Sequence, residues 1–104
     1  MNGIFRVKEI TGFRSFKSKK NKGEDETVNV VGLILCDGTD EVYCEAYREQ
    51  HDVVKNSNIG KYDLVGARLL SWVEERQHEG TTFYTTKYVV QDIELWLHVE
   101  PETF

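Results

Sequence analysis

The side chains best placed for chemistry in this sequence are basic and aromatic, and the chemistry they suit is binding. Between Phe13 and Gly23 there are five basic residues and no acidic one, so this segment carries +5 while the whole chain carries −5. A protein that binds single strands without sequence preference needs cations along a groove and aromatic rings on its floor. We therefore expect the segment to bind phosphates, with Phe13 or Phe16 stacking on bases; a merely solvated loop is the alternative. The five cations are Arg14, Lys17, Lys19, Lys20 and Lys22.

Further candidates for base stacking lie in apolar runs that predict strands. Tyr43 and Tyr47 alternate with small apolar residues and so share the polar face of one predicted strand. Trp72 lies at the outer end of another, where stacking on a base contributes about 1 to 3 kcal/mol; core packing explains this residue equally well. The remaining candidates for the nucleic-acid-binding surface also lie on predicted strands and are Arg68, Tyr84 and Lys87. For Tyr84, a contact between subunits is the alternative.

Histidine and cysteine spacing argues against catalysis and metal binding. His51, His78 and His98 lie far apart with no nucleophile beside them, and neither Cys36 nor Cys44 falls in a zinc-binding pattern. We expect no enzyme activity, no metal site and no cofactor. A hairpin at Asp37-Gly38 makes a disulfide geometrically possible, but buried reduced thiols are the better interpretation in a chain without an export signal.

Length and hydropathy predict one soluble domain. A chain of 104 residues supports one modest core. No run approaches the about 18 to 20 apolar residues that a membrane span requires, and residues 1–10 have no signal-peptide centre. We expect a cytoplasmic protein with one domain at residues 1–97 and a tail at 98–104.

Apolar and β-branched runs predict an all-β domain. The order is three strands, one short helix at residues 48–58, and two more strands, with residues 13–23 as a long exposed loop and 74–80 as a polar turn. This order predicts a five-stranded Greek-key barrel of the oligonucleotide-binding (OB) type, with the helix between strands 3 and 4. Gly66 is expected at a bulge or corner, and Trp96 at a barrel end or subunit contact. The predicted strands are 4–10, 27–36, 42–47, 62–73 and 82–95.

The last two predicted strands resemble the final hairpin of bacterial and phage single-stranded DNA-binding proteins. The resemblance is carried by Gly66 through Trp72, by Tyr84-Thr85-Thr86-Lys87 and by the run from Val89 to Leu95. It implies an OB barrel that forms homo-oligomers, here a dimer or tetramer, and coats single strands. The chain departs from that family in the short hairpin at residues 37–40, in having Val42 or Tyr43 where the family often has Trp, and in lacking a long acidic tail, of which residues 100–104 are at most a remnant.

Three functions follow from these observations. The first is a single-stranded DNA-binding protein of phage or bacterial type, acting in replication, repair or recombination without marked sequence preference. The second is an OB-fold interaction module of a replication, recombination or conjugation complex with little DNA binding, which the acidic remainder of the chain, at −10, favours. The third is an RNA-binding OB domain. Steep salt dependence of oligothymidine binding would support the first over the second.

Overall fold

Six strands and one short helix form the described part of the chain, which is residues 2–19 and 25–100 of a computed structural model. The helix lies between the fourth and fifth strands. Within the described residues, no helix has the length and apolarity needed to cross a membrane. The elements are β1 Asn2–Ile10, β2 Arg14–Lys19, β3 Asp25–Cys36, β4 Glu41–Tyr47, α1 Glu49–Asn56, β5 Leu64–His78 and β6 Thr81–Leu97.

Five of these strands form a closed ring. β1 pairs with both β5 and β3, and the sheet continues from β5 through β6 and β4 back to β3. The neighbours are antiparallel except for β4 and β6, which meet in parallel at Glu45 and Val89. α1 begins directly after β4, where the Arg48 amide donates to the Asn29 carbonyl of β3 at 3.0 Å. The expectation of a mostly β domain with one short helix is therefore confirmed.

Every second side chain along the strands points into the ring, and these side chains fill its interior. In β4, Cys44 and Ala46 are fully buried, while the neighbouring Tyr43 is exposed. The interior is mainly aliphatic, and Val54 of α1 belongs to it. This agrees with the small apolar face predicted for β4. Both thiols are free, but only Cys44 is buried as expected, and Cys36 is half-buried.

The basic segment contains a strand where a loop was expected. Arg14–Lys19 pairs antiparallel with the first half of β3, from Arg14 opposite Val30 to Lys19 opposite Asp25. Its own sequence, RSFKSK, has no apolar run, which is why it resembles a loop. The β-branched residues of β3 supply the propensity, and the Lys19–Asp25 register places opposite charges across the strands. The described residues therefore contain six strands, not five.

The final hairpin is also longer than expected. β5 continues to His78 through the predicted polar turn, and the actual turn is Glu79-Gly80, with both residues at positive φ, 49° and 79°. Such a two-residue turn matches the twist of a tight hairpin. Gly66 is not at a bulge: the nearest register shifts are at residues 64–65 and 68–69, and the Trp96 indole packs on Gly66 where a Cβ would collide with it.

Two hairpins extend beyond the ring as a consequence. Residues 71–78 of β5 and 81–88 of β6 pair only with each other, and we call them the β5–β6 arm. Residues 15–19 and 25–29 form the second, the β2–β3 arm. These arms position the candidate site.

Candidate nucleic-acid interface

A groove of about 390 Å³ lies between the two arms, and we call it the aromatic groove. Its rings come from three strands: Phe16 from β2, Tyr47 from β4 and Trp72 from β5. Phe16 and Tyr47 meet edge to face, with ring centroids 6.4 Å apart. Phe16 is 46% exposed and Trp72 45%, so both rings keep surface on which a base can stack. The remaining lining residues are Ser18, Arg48, Lys87 and Val89.

Strand register explains why these rings converge. Trp72 is directly opposite Lys87, so the two side chains share one face of the β5–β6 arm. On the other arm, Phe16 is opposite Val28, while Val30 lies between Arg14 and Tyr47. Val28 and Val30 are each 1% exposed although they lie outside the core cluster of the ring. Because cross-strand neighbours share a face, a buried apolar surface runs along β3 between Phe16 and Tyr47.

A buried glutamate lies beside the aromatic groove. Glu45 is 7% exposed and accepts from the Arg14 guanidinium at 2.6 Å and from the Tyr47 hydroxyl at 2.9 Å. The Lys87 ammonium is 3.3 Å from Oε1, the oxygen that also accepts from Tyr47, since Lys87 lies two residues before the β6 residue that pairs with Glu45. Three elements thus supply partners to one carboxylate, and two of the cations predicted to bind DNA are paired within the protein.

These contacts determine the ionisation of the glutamate and its tyrosine. Burial alone would raise the pKa of Glu45, but the Tyr47 hydroxyl, Lys87 and Arg14 outweigh it and hold that pKa below its ordinary value. Burial, followed by the hydrogen bond to Glu45, raises the pKa of Tyr47 to about 12. At neutral pH, Glu45 is therefore an anion and Tyr47 a neutral donor.

A second, polar pocket of about 420 Å³ adjoins Glu45 on the side of the β5–β6 arm. Tyr43 lines it, 47% exposed, with its ring packed on Gly32. Two further carboxylates line this pocket, so phosphate is less favoured here than in the aromatic groove. Its charged residues are Glu41, Glu45, Glu74, Arg76 and Lys87.

Six of the twelve residues predicted to bind DNA lie together. Phe16, Tyr47, Trp72 and Lys87 line the aromatic groove, and Arg14 and Tyr43 lie beside it around Glu45. The half-exposed Trp72 ring is on the groove face rather than in the core, which answers the question of register that the sequence left open.

Four other predicted residues point elsewhere. Lys17 and Lys19 alternate with Phe16 along β2 and therefore lie on its opposite face. Tyr84, opposite Glu75, lies on the face of the β5–β6 arm away from Trp72. Arg68 lines a separate pocket of about 250 Å³ with Asp92, Glu94 and Trp96. Lys20 and Lys22, like residues 101–104 of the predicted tail, lie outside the described residues.

Sequence reasoning missed Glu45 and Arg48. Glu45 looks like an ordinary surface carboxylate, and the available signal was its position between Tyr43 and Tyr47 on one strand face. Arg48 lines the aromatic groove from the start of α1, at a positive φ of 52°, with its side chain 3.5 Å from Glu26. Nothing in its sequence neighbourhood predicts that backbone conformation.

The histidines lie in separate environments. His51 is buried against Phe13 and hydrogen-bonds Asp52 at 2.9 Å, while His98 bonds Asp63 at 2.8 Å just after β6. Within residues 2–19 and 25–100, no three His, Cys, Asp or Glu side chains are grouped so as to hold a metal ion.

Comparisons of the chain with models of known protein families, with curated proteins and with solved structures found no match.

Proposed function

We propose that the protein binds single-stranded DNA in the aromatic groove and coats exposed strands without marked sequence preference. The observation that carries this proposal is the convergence of Phe16, Tyr47 and Trp72 from three strands, with two of the rings half-exposed. Every base has a flat face, so stacking on such rings tolerates any sequence. Arg48 lines the same groove with its side chain 57% exposed and supplies charge for the backbone.

The scaffold we propose is an OB-fold. Support comes from the closed ring of five strands, from the helix between β4 and β5, and from the position of the two arms. OB domains bind single strands across one sheet face, between the loop joining the first two barrel strands and the loop joining the last two. The β2–β3 arm and the β5–β6 arm occupy those two connections in this chain.

Stacking supplies most of the binding free energy in this proposal. Arg14 and Lys87 are already paired with Glu45, and Lys17 and Lys19 lie on the opposite face of β2. Few cations therefore exchange counterions for DNA phosphates at the groove. Binding should weaken with salt less steeply than the +5 segment alone suggests.

Tryptophan fluorescence during oligothymidine titration tests the proposal. The two tryptophans allow a matched pair, because Trp72 lines the aromatic groove and Trp96 lies in another pocket, 56% exposed. In Trp96→Phe, DNA should still quench the remaining indole. In Trp72→Phe the quenching should be lost, and Trp72→Ala should raise Kd about 5- to 150-fold, the equivalent of one stacking contact. Equal quenching from both tryptophans, or none at low salt, would contradict the proposed site.

A protein-interaction module is the second candidate. The specific observation that favours it is the internal neutralisation of groove cations by Glu45 and Glu26. An interaction module should give no shift of labelled oligothymidine or oligouridine even at low salt. If oligouridine binds more tightly than oligothymidine, the RNA-binding alternative replaces both.

A further inference from the structure

Glu45 holds two cations in the way that a backbone phosphate would hold them. Its side chain is 9% exposed, whereas that of Arg14 is 50% exposed and that of Lys87 is 35% exposed. The carboxylate thus lies beneath the two cations, and both retain outward surface. Carboxylate and phosphate oxygens accept the same charge-assisted hydrogen bonds from guanidinium and ammonium groups. The Glu45 carboxylate therefore already binds the buried side of the Arg14 guanidinium and of the Lys87 ammonium.

The charge of Glu45 also acts on anything bound nearby. It lies on the same face as Tyr43 and Tyr47, next to the aromatic groove. A fixed negative charge there disfavours a phosphate at this position and tolerates the neutral edge of a base. A bound strand would then place its bases toward β4 and its phosphates toward the rims.

We propose that Glu45 is an internal competitor of the DNA backbone: its carboxylate occupies Arg14 and Lys87 in the free protein and thereby determines the affinity and the salt dependence of the aromatic groove. The inference rests on the proposed function. The competitor role predicts a change in DNA affinity on replacement of Glu45 that is opposite in sign to the change expected if Glu45 only orients the two cations. Removing a competitor tightens binding, whereas removing a positioning residue weakens it.

Glu45→Gln tests the inference, because it removes the charge and keeps nearly the same shape. If Arg14 and Lys87 become available to two phosphates, the salt slope for a single strand should steepen by about 1.4, at about 0.7 per phosphate. The ratio of E45Q affinity to wild-type affinity should then fall about sevenfold between about 50 and 200 mM salt. Fluorescence titrations with oligothymidine across that range measure both quantities.

Glu74→Gln is the matched control. Glu74 lines the adjoining polar pocket, and no ion pair links it to Arg14 or Lys87 within the described residues. It makes the same change in net charge, so it reports general electrostatics alone. E45Q should tighten binding and steepen the slope more than E74Q. An equal effect of the two variants, or weaker binding by E45Q, would overturn the competitor role.

Arg14→Gln completes the experiment. In the E45Q background it should reduce the slope by about 0.7, one phosphate, and in the wild-type background by clearly less. If E45Q does not fold, Arg14→Gln in otherwise wild-type protein decides. A decrease of the salt slope by the full value of about 0.7 would mean that Arg14 already binds a phosphate, which would overturn the competitor role. Absence of oligothymidine binding by the wild-type protein would instead refute the proposed function itself, and so the two failures are distinguishable.

Discussion

The two faces of β4 bury their side chains by different physical means. On the inner face, Cys44 and Ala46 are fully buried among aliphatic residues of the ring. On the outer face, Glu45 is nearly as buried, but it is held by directional contacts to Arg14, Tyr47 and Lys87. Apolar burial needs volume and no particular partner, while a buried carboxylate needs each of its partners in place. One strand thus presents a face that packs the core and a face that builds a site, and the two depend on different interactions.

The largest expected effect is on the inner face. Leu33 is fully buried opposite Cys44, so Leu33→Ala leaves a cavity and should lower the free energy of unfolding by about 2 to 5 kcal/mol. Leu70→Ala is the matched control, because Leu70 is 48% exposed on the outside of β5. Urea unfolding of the two variants measures the difference. Similar losses would mean that the ring interior is not the main source of stability.

The next effect is on the outer face and depends on pH. Glu45→Gln should lower the free energy of unfolding by about 1 to 3 kcal/mol at neutral pH. The partners of the carboxylate would then contact a neutral amide, and hydrogen bonds to a charged group stabilise more than those to a neutral one. The folded-state pKa of Glu45 lies below its ordinary value of 4.5, so its contribution is complete above that value and is lost as the pH falls through the folded pKa.

Unfolding of wild type and E45Q across pH 7 to 3 checks this dependence. The two stabilities should converge at the acid end, where Glu45 is protonated and carries no more charge than the glutamine. A difference between wild type and E45Q that stays constant with pH would contradict the role of the ionised carboxylate.

The same contrast explains what the sequence could predict. The inner face of β4 follows from alternation alone, and so do the five strands of the ring, since each carries its own apolar pattern. β2 does not, because its strand form depends on pairing with β3. The burial of Glu45 could not be predicted, since its partners are 31, 2 and 42 residues away in the chain and only the register brings them together. For the candidate site, the sequence predicts the aromatic and basic residue types. It does not predict that Phe16 lies on one face of β2 and Lys17 and Lys19 on the other, because that division follows only once β2 is known to be a strand.

A smaller effect is expected from one hydroxyl. Tyr47→Phe removes the donor to Glu45 and keeps the ring that meets Phe16, so the free energy of unfolding should fall by about 0.5 to 1.5 kcal/mol. Tyr84→Phe is the control, since Tyr84 is 69% exposed and should change stability by less than about 0.5 kcal/mol. Absorbance titration adds a second measurement: the signal lost in Y47F should be the one that ionises near pH 12. Loss of a signal nearer pH 10 would contradict both the burial of Tyr47 and its hydrogen bond to Glu45.

The mildest test changes no residue and compares the two thiols. Burial raises the pKa of the Cys44 thiol to about 12, and its sulfur lies 3.7 Å from the Leu33 carbonyl, whereas Cys36 is only half-buried at the end of β3. The thiolate is the reactive form, so at pH 8 only about one Cys44 in ten thousand is ionised even before access is considered. A disulfide reagent should therefore label Cys36 first and reach Cys44 only through opening of the ring. Labelling of Cys44 should accelerate in urea in proportion to the unfolded population, because an inner-face residue becomes accessible only when the ring opens. Rapid labelling of both thiols in native protein would mean that the inner face of β4 is open to solvent.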